Sequence, residues 1–448
     1  MSRLVRRLIV AMIAAEALSA GAAAQLVGGI GLPPVSLPPV GLPPTANLPI
    51  AGPLLPDLLS QPAAQQAISP TLDTVGGLTD QIASSGAPSL LELRRLRLEG
   101  LIRSNRATVE SDGNGLPVRR GIVVVLDPDP VGLQAAMRAG FRVAEDDRES
   151  QLGLRSVSLS APGGLSARDG LKLVRKVAPE LQADFDHLFE PAGGPLATVR
   201  SGLEPTHAAA GGRAIGMIDG GVASHPSLAG RSIEQNGFAG APQPTGHGTA
   251  VASLLVGSQG PFRGAAVGAQ LYVADVYGGN RAAGSATAIV RALDWLSGHR
   301  PQVINISLVG PPNRLVERAI QAVQARGIQV VAAVGNDGPA APPQYPASYP
   351  GVIAVTAVDG AGRALPEAGK ATHLDFAAPG ADMAAALPGN GYTRVRGTSF
   401  AAPLVAARLL AAGSPGALAA EALPGRGRVG RGIVCGACRI DPRSLGVR

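Results

Sequence analysis

The sequence predicts an α/β protein: a mostly parallel central sheet covered by helices, preceded by a small α+β domain of split βαβ order. Three observations lead there. After Gly211, five apolar runs of strand length alternate with amphipathic helical segments, the rhythm of a parallel sheet whose crossovers are helices. Between residues 118 and 190 the pattern runs strand, helix, strand, strand, helix, strand, which is the split βαβ order. The 448-residue chain has room for about three folding units.

In the small domain, 121–126 is a β-branched run, and Asp127-Pro128 leads into a helix over 131–138 that Gly140 closes. Segments 141–144 and 154–159 read as strands. Ser166 with Asp169 forms a capping box with Asp in place of Glu. Leu171, Val174 and Ala178 then share one helical face until Pro179, and a last strand falls near 181–189. In the main domain the strand-like runs are 214–218, 271–276, 303–308, 329–334 and 352–358. Helices are expected over 249–256, 285–297 and 313–326. Ile289, Val290, Leu293 and Leu296 line one face of the second, and Leu315, Val316, Ala319, Ile320 and Val323 one face of the third.

The flanks differ in composition. Residues 1–24 carry Arg3, Arg6 and Arg7, an apolar stretch over 8–20, and Ala22-Ala23-Ala24 before Gln25, the three parts of a secretory signal. Residues 25–89 form a Pro-rich linker that repeats Leu32-Pro33-Pro34, Leu37-Pro38-Pro39 and Leu42-Pro43-Pro44. Successive prolines fix φ and remove donors, so an extended spacer is expected. The leucines and arginines of 90–103 predict a short amphipathic helix that packs on a neighbour. Residues 413–448 are a Gly/Arg-rich tail with Cys435 and Cys438. In an exported protein that pair reads as a local disulfide; a zinc site would need further ligands and a redox motif a thioredoxin-like setting.

Composition excludes some partners. The net charge is +7, but all except three of the 39 basic residues (Lys172, Lys176, Lys370) are arginines scattered along the chain, and aromatics are 3%. That is not the footprint of a nucleic-acid binder. No run outside the signal approaches the ~18 apolar residues of a membrane span, and two cysteines cannot make a disulfide scaffold.

The polar residues at element ends carry the chemistry. Asp219 ends the first apolar run, a costly place for a carboxylate without a partner. His247 sits in Thr245-Gly246-His247-Gly248-Thr249, where a loop meets a helix start. Asn336 follows the fourth run, and Ser399 in Gly397-Thr398-Ser399 enters an apolar helix. Serine is a weak nucleophile until a histidine takes its proton, and an acid must hold that histidine's tautomer. An amide donor can then stabilise the oxyanion, as can the N–H groups of a helix's first turn. Singly, each has a plain reading: a turn aspartate, a loop histidine, a capping serine. The order Asp, His, Asn, Ser is the specific signal, and it differs from the Ser, Asp, His order of α/β-hydrolases. His187, His207, His225, His299 and His373 read as structural, and no pair has zinc-protease spacing. Asp337 reads as a solvated loop acid, with an electrostatic bias on the pocket beside Asn336 as the sharper alternative, and Gln344 as a neighbour of the pocket floor.

At 215–226, 246–257, 303–312, 329–338, 345–359 and 397–405 the sequence resembles the subtilisin-like serine proteases, the subtilases, a likeness covering 211–412. It implies a three-layer subtilisin-like catalytic domain over 193–412. Residues 90–192 would be a propeptide that assists folding, inhibits the enzyme, and is removed by self-cleavage somewhere in 190–205. It implies Asp219 as orienting acid, His247 as base and acid, Ser399 as nucleophile and Asn336 as oxyanion donor. Ser307, Leu308, Val309 and Gly310 would pair with a substrate backbone, while Ala332, Ala333, Val334 and Gly335 line the pocket before the scissile bond. No cofactor is required; some relatives hold structural calcium, but no ligand for it is assignable here. The expected protein is an exported monomer, periplasmic or extracellular, acting on polypeptides, with its own propeptide as intramolecular inhibitor. Gly220 stands where the family has Ser or Thr, Ala250 and Ser253 alter the usual His-Gly-Thr-His-Val-Ala-Gly, and Phe400 replaces Met. The alternative is an inactive peptide-binding module, whose mark would be a lost triad residue; none is lost. Attack by an amine instead of water would make a transferase of the same residues.

Overall fold

The computed structural model describes residues 89–193 and 212–447. The signal (1–24), the linker up to 88, His207 and the part of the expected processing region from 194 onward lie outside them.

The chain first forms helix α1 (Leu90–Ser104), capped by Ser89. Five antiparallel strands follow: β1 (Val109–Ser111), β2 (Pro117–Leu126), β3 (Arg142–Glu149), β4 (Leu154–Ser160) and β5 (Gln182–His187), with helix α2 (Pro130–Arg138) between β2 and β3 and α3 (Ala167–Val177) between β4 and β5. Strand β2 is central, pairing with β1, β4 and β5. Its alternation explains its two roles. Val123 and Val125 point into a small core with Phe141, Leu159, Leu171 and Val174. Val124 and Leu126 join the core of the larger domain. A sheet with both faces buried thus sits between its own helices and its neighbour. Two carboxylates of β5 finish the docking: Asp186 accepts from the Thr287 N–H at 3.1 Å and Asp184 from the Arg314 N–H at 2.9 Å. Each N–H belongs to the first turn of a helix, where donors lack intrahelical partners and negative charge is favoured.

After the two-residue strand β6 (Glu190–Pro191) come β7 (Ala214–Asp219), β8 (Ile233–Gly237), α4 (Gly246–Val256), the short hairpin β9 (Ser258–Gln259) and β10 (Phe262–Arg263), then β11 (Gln270–Asp275), α5 (Ala286–His299), β12 (Val303–Ile306), β13 (Leu308–Val309), α6 (Arg314–Ala325), β14 (Gln329–Ala333), β15 (Ile353–Val358), β16 (Phe376–Pro379), the pair β17 (Met383–Ala386) and β18 (Tyr392–Val395), and α7 (Thr398–Ala412). Seven strands make one sheet in the order β16-β15-β14-β12-β7-β11-β8. Every pairing in it is parallel. One face packs on α4 and α7, the other on α5 and α6. The five runs read from the sequence are its interior strands; the edges β8 and β16 are additions.

The segment read as a Gly/Arg-rich tail closes on the body. It forms helix α8 (Pro415–Ala420), buries Leu418 and Val434, and joins Ile433 to Ala377. Cys435 and Cys438 are disulfide-bonded. Among the described residues no helix is long and apolar enough to cross a membrane, and no group of three or more His, Cys, Asp or Glu could hold a metal ion.

Candidate active site

Four elements meet at the carboxyl ends of β7 and β14, where ligands of open parallel sheets bind. Asp219, the last residue of β7, is buried. His247 lies in the first turn of α4, which starts at Gly246, earlier than the apolar periodicity predicts, because Thr245 caps it by accepting from Gly248 N–H at 3.0 Å. Gly248 has no side chain because a Cβ there would strike the backbone of Gly220 and Gly221. That close approach brings the imidazole to the strand end. His247 Nδ1 is 2.9 Å from both carboxylate oxygens of Asp219, and Gly220 N–H donates to Asp219 Oδ1 at 2.7 Å.

Gly220 has a local cause. A Cβ there would lie 2.5 Å from Thr245 Oγ1 and 2.7 Å from its Cγ2, so the helix cap fills the space a serine or threonine would need. Asp275, in register beside Asp219 on β11, is also buried. It accepts from the N–H groups of Gln243, Tyr277 and Gly278, and burial pushes its carboxyl above the ordinary range. In the sequence it lies inside the apolar run 271–276, one residue before its end, a weaker signal than that of Asp219.

Ser399 stands on the first turn of α7, behind Gly397 at φ 139°. Pro403 lies inside that helix and lacks the N–H that would bond the carbonyl four residues back, which is that of Ser399. Ser307 supplies the missing donor: its hydroxyl reaches Ser399 O at 3.0 Å and accepts from Asn305 Nδ2 at 2.9 Å. Neither this side-chain role of Ser307 nor that of Asn305 is signalled by the local sequence. Ser399 Oγ and His247 Nε2 are buried and have no hydrogen-bond partner among the described residues. The Phe400 ring lies 5.3 Å from the His247 ring, centroid to centroid.

Asn336 follows Gly335, whose positive φ of 84° turns the chain out of β14. Thr398 N–H donates to Asn336 Oδ1 at 3.0 Å, and Gly335 N–H to Thr398 Oγ1 at 3.0 Å. The amide oxygen being engaged, Nδ2 faces the other way, onto the carbonyl oxygen of Ala192. Thr398 is thus a positioning residue that the motif alone did not reveal.

The groove holds a segment of the chain itself. Strand β6 pairs antiparallel with β13, Pro191 opposite Leu308 and Glu190 opposite Val309, and Ala192 N–H donates to Ser307 O at 2.9 Å. Ala192 packs in one core cluster with Val309 and Ala333. Ala332 and Val334 face the other core, so of the pocket run Ala332 to Gly335 only alternate residues face Ala192, as a strand requires. Gly310 pairs with Tyr345 instead of with the inserted segment, and a Cβ on it would meet the Phe189 ring. Phe189 N–H donates to Gly284 O and Tyr277 Oη–H to Phe189 O. Gly193 lies against Ser399 Oγ closely enough that a Cβ would strike it.

Asp337 is not a solvated loop acid. Its side chain is 8% exposed, covered by Arg94 and Arg97 of α1. Gln344 lies beside Gly335. His225 is held by Ser227 and the Gly391 carbonyl, and burial pushes its imidazole down.

Comparison with known proteins returns a consistent set. The signature described as the subtilase family matches residues 211–414. Subtilisin Savinase of Lederbergia lenta is 34% identical over 197 residues, 43% of this chain and 72% of that one. The alkaline protease of Shouchella clausii is 34% identical over 197 residues, of which the match spans only 51% of its length. Among solved structures, fervidolysin from Fervidobacterium pennivorans, described as a keratinolytic enzyme related to subtilisin, shares the fold with a TM-score of 0.59 at 18% identity, covering 72% of this chain and 61% of that one.

Proposed function

Since the chain belongs to the subtilase family and is a serine endopeptidase, we propose that it is made as an exported zymogen whose prosegment, residues 90–192, fills the catalytic groove with its last residues until the Ala192–Gly193 bond is cut. The observation that carries this reading is the position of Ala192, with its carbonyl oxygen on Asn336 Nδ2, its N–H on Ser307 O, and Gly193 against Ser399 Oγ. Export rests on the signal-like residues 1–24.

Each step draws on protein groups and water alone. Ser399 Oγ attacks the Ala192 carbonyl carbon while His247 Nε2 takes its proton. Asp219 holds Nδ1–H and stabilises the imidazolium that forms. The developing oxyanion gains the Asn336 amide, whose orientation Thr398 fixes. His247 then gives its proton to the Gly193 nitrogen, which leaves, and Ala192 stays as an ester on Ser399. Water attacks that ester with His247 again as base, freeing the Ala192 carboxylate and restoring the serine. A polypeptide substrate enters by the same strand addition along Leu308–Val309, with a small side chain beside Val309 and Ala333.

A fluorogenic peptide carrying Phe-Glu-Pro-Ala before its reporter tests this reading. The processed chain should release the reporter and the Ser399→Ala chain should not. A chain that never cuts itself, and that binds the peptide without cutting it once an added protease has removed the prosegment, would favour the binding module instead.

A further inference from the structure

Helix α1 lies outside the split βαβ fold, yet it reaches the catalytic groove. Leu98 is buried, and Leu101 and Ile102 pack with Val109 and Leu188. Leu90 lies over Gly338. Arg94 and Arg97, neighbours on one helix face, both point at Asp337, the residue after Asn336. Arg94 Nε is 3.1 Å from Asp337 Oδ2, while Arg97 binds it two-pronged, at 2.9 Å to Oδ1 and 3.1 Å to Oδ2. The same Arg97 guanidinium donates through Nε to Glu190 Oε2 at 3.2 Å. Arg281 of the larger domain stands 3.6 Å from the other Glu190 oxygen. One side chain therefore ties the helix, the inserted strand and the groove rim together.

We propose that α1 is an electrostatic clamp whose partner is the rim acid Asp337, and that it holds the prosegment on the enzyme after the bond behind Ala192 is cut. The inference rests on the zymogen reading above for its biological sense, but not for its test. Cutting at Ala192 leaves Arg94, Arg97 and Glu190 on the prosegment and Asp337 and Arg281 on the enzyme, so every bridge between the two sides survives the cut. A bidentate guanidinium–carboxylate pair is among the stronger polar contacts. Asp337 is nearly buried, so losing its arginines leaves a desolvated charge without a partner, the costly case. The pairs of Arg95 with Glu92 and Glu99 on the same helix are exposed at both ends and should hold nothing. Because Arg97 is itself 40% exposed, salt reaches the clamp and weakens it.

The test uses the full chain with Ser399→Ala, so that no cutting is needed, and reads hydrogen exchange in segments 190–192 and 308–309. With Arg94→Ala and Arg97→Ala together, or with Asp337→Asn, both segments should exchange at least about tenfold faster, and about 0.5 M salt should speed the parent in the same direction. Arg95→Ala should change nothing, and unchanged protection of 330–333 shows the core intact. Unaltered exchange in the double variant overturns the clamp. A second arm uses the active chain: after self-cleavage, size exclusion should find the prosegment with the parent enzyme and separated from the double variant. Co-elution in both would also overturn it. A chain that never cuts itself, yet shows the exchange effect, would sink the zymogen reading and leave the clamp standing.

Discussion

Replacing Ser307 by alanine should damage the protein through a carbonyl on another element. Pro403 leaves the Ser399 carbonyl without its helical donor, and the Ser307 hydroxyl, fully buried, replaces it at 3.0 Å. The same hydroxyl accepts from Asn305 Nδ2. Alanine therefore strands two buried polar groups, each at about 1–3 kcal/mol, and recovers only the desolvation of one hydroxyl, so the net loss should be about 2–4 kcal/mol. Urea unfolding of the Ser399→Ala chain, followed by the fluorescence of Trp295, gives the number without self-digestion. That single tryptophan sits against Tyr272 and His299 in the larger domain. Pro403→Ala restores a backbone N–H to the same carbonyl. In that background the Ser307→Ala cost should shrink by about 1 kcal/mol, a coupling that a double-mutant cycle reads directly. A loss below about 0.5 kcal/mol, or no coupling to Pro403, would mean that the Ser307 hydroxyl does not serve the Ser399 carbonyl.

Three further outcomes are expected. Asn336→Ala should lower kcat by about a hundredfold to a thousandfold with KM little changed if, as proposed, its amide serves the charge that forms in the reaction; a matching rise in KM would mean that it only binds substrate. Gly220→Ser should destabilise by about 1–3 kcal/mol, since its Cβ falls on Thr245, and a neutral unfolding midpoint would show that Thr245 yields freely. Burial pushes the Glu149 carboxyl from 4.5 up to about 6, against a hydrogen bond from Ser156. A raised folded value stabilises the protonated fold below about pH 4.5 and withdraws that help as pH rises through about 6, on the order of 2 kcal/mol. Glu149→Gln should flatten that part of the urea-midpoint profile, and an unchanged profile would assign the pH dependence to other groups.

The parallel sheet was legible where strands are buried on both faces, because continuous apolar runs such as 330–333 and 352–355 follow from that burial. Strands β8 (Ile-Glu-Gln-Asn-Gly) and β16 (Phe-Ala-Ala-Pro) escaped because edge strands are short, part polar or end in proline. That Asp219, His247, Asn336 and Ser399 stand at element ends was legible because each is a polar type bordering an apolar run. Their supports were not. Thr398 and Ser307 act through contacts 62 and 92 residues away in sequence, and no local pattern announces such pairs. Asp337 was misread for the same reason: the arginines that cover it lie 240 and 243 residues earlier.

Self-cleavage of the Ala192–Gly193 bond by Ser399 underlies the proposed function. Intact mass and amino-terminal sequencing of the purified chain beside its Ser399→Ala variant test it most directly. Two fragments are expected from the parent, the larger beginning at Gly193, and one whole chain from the variant. Two whole chains, or the same cut in both, would contradict it.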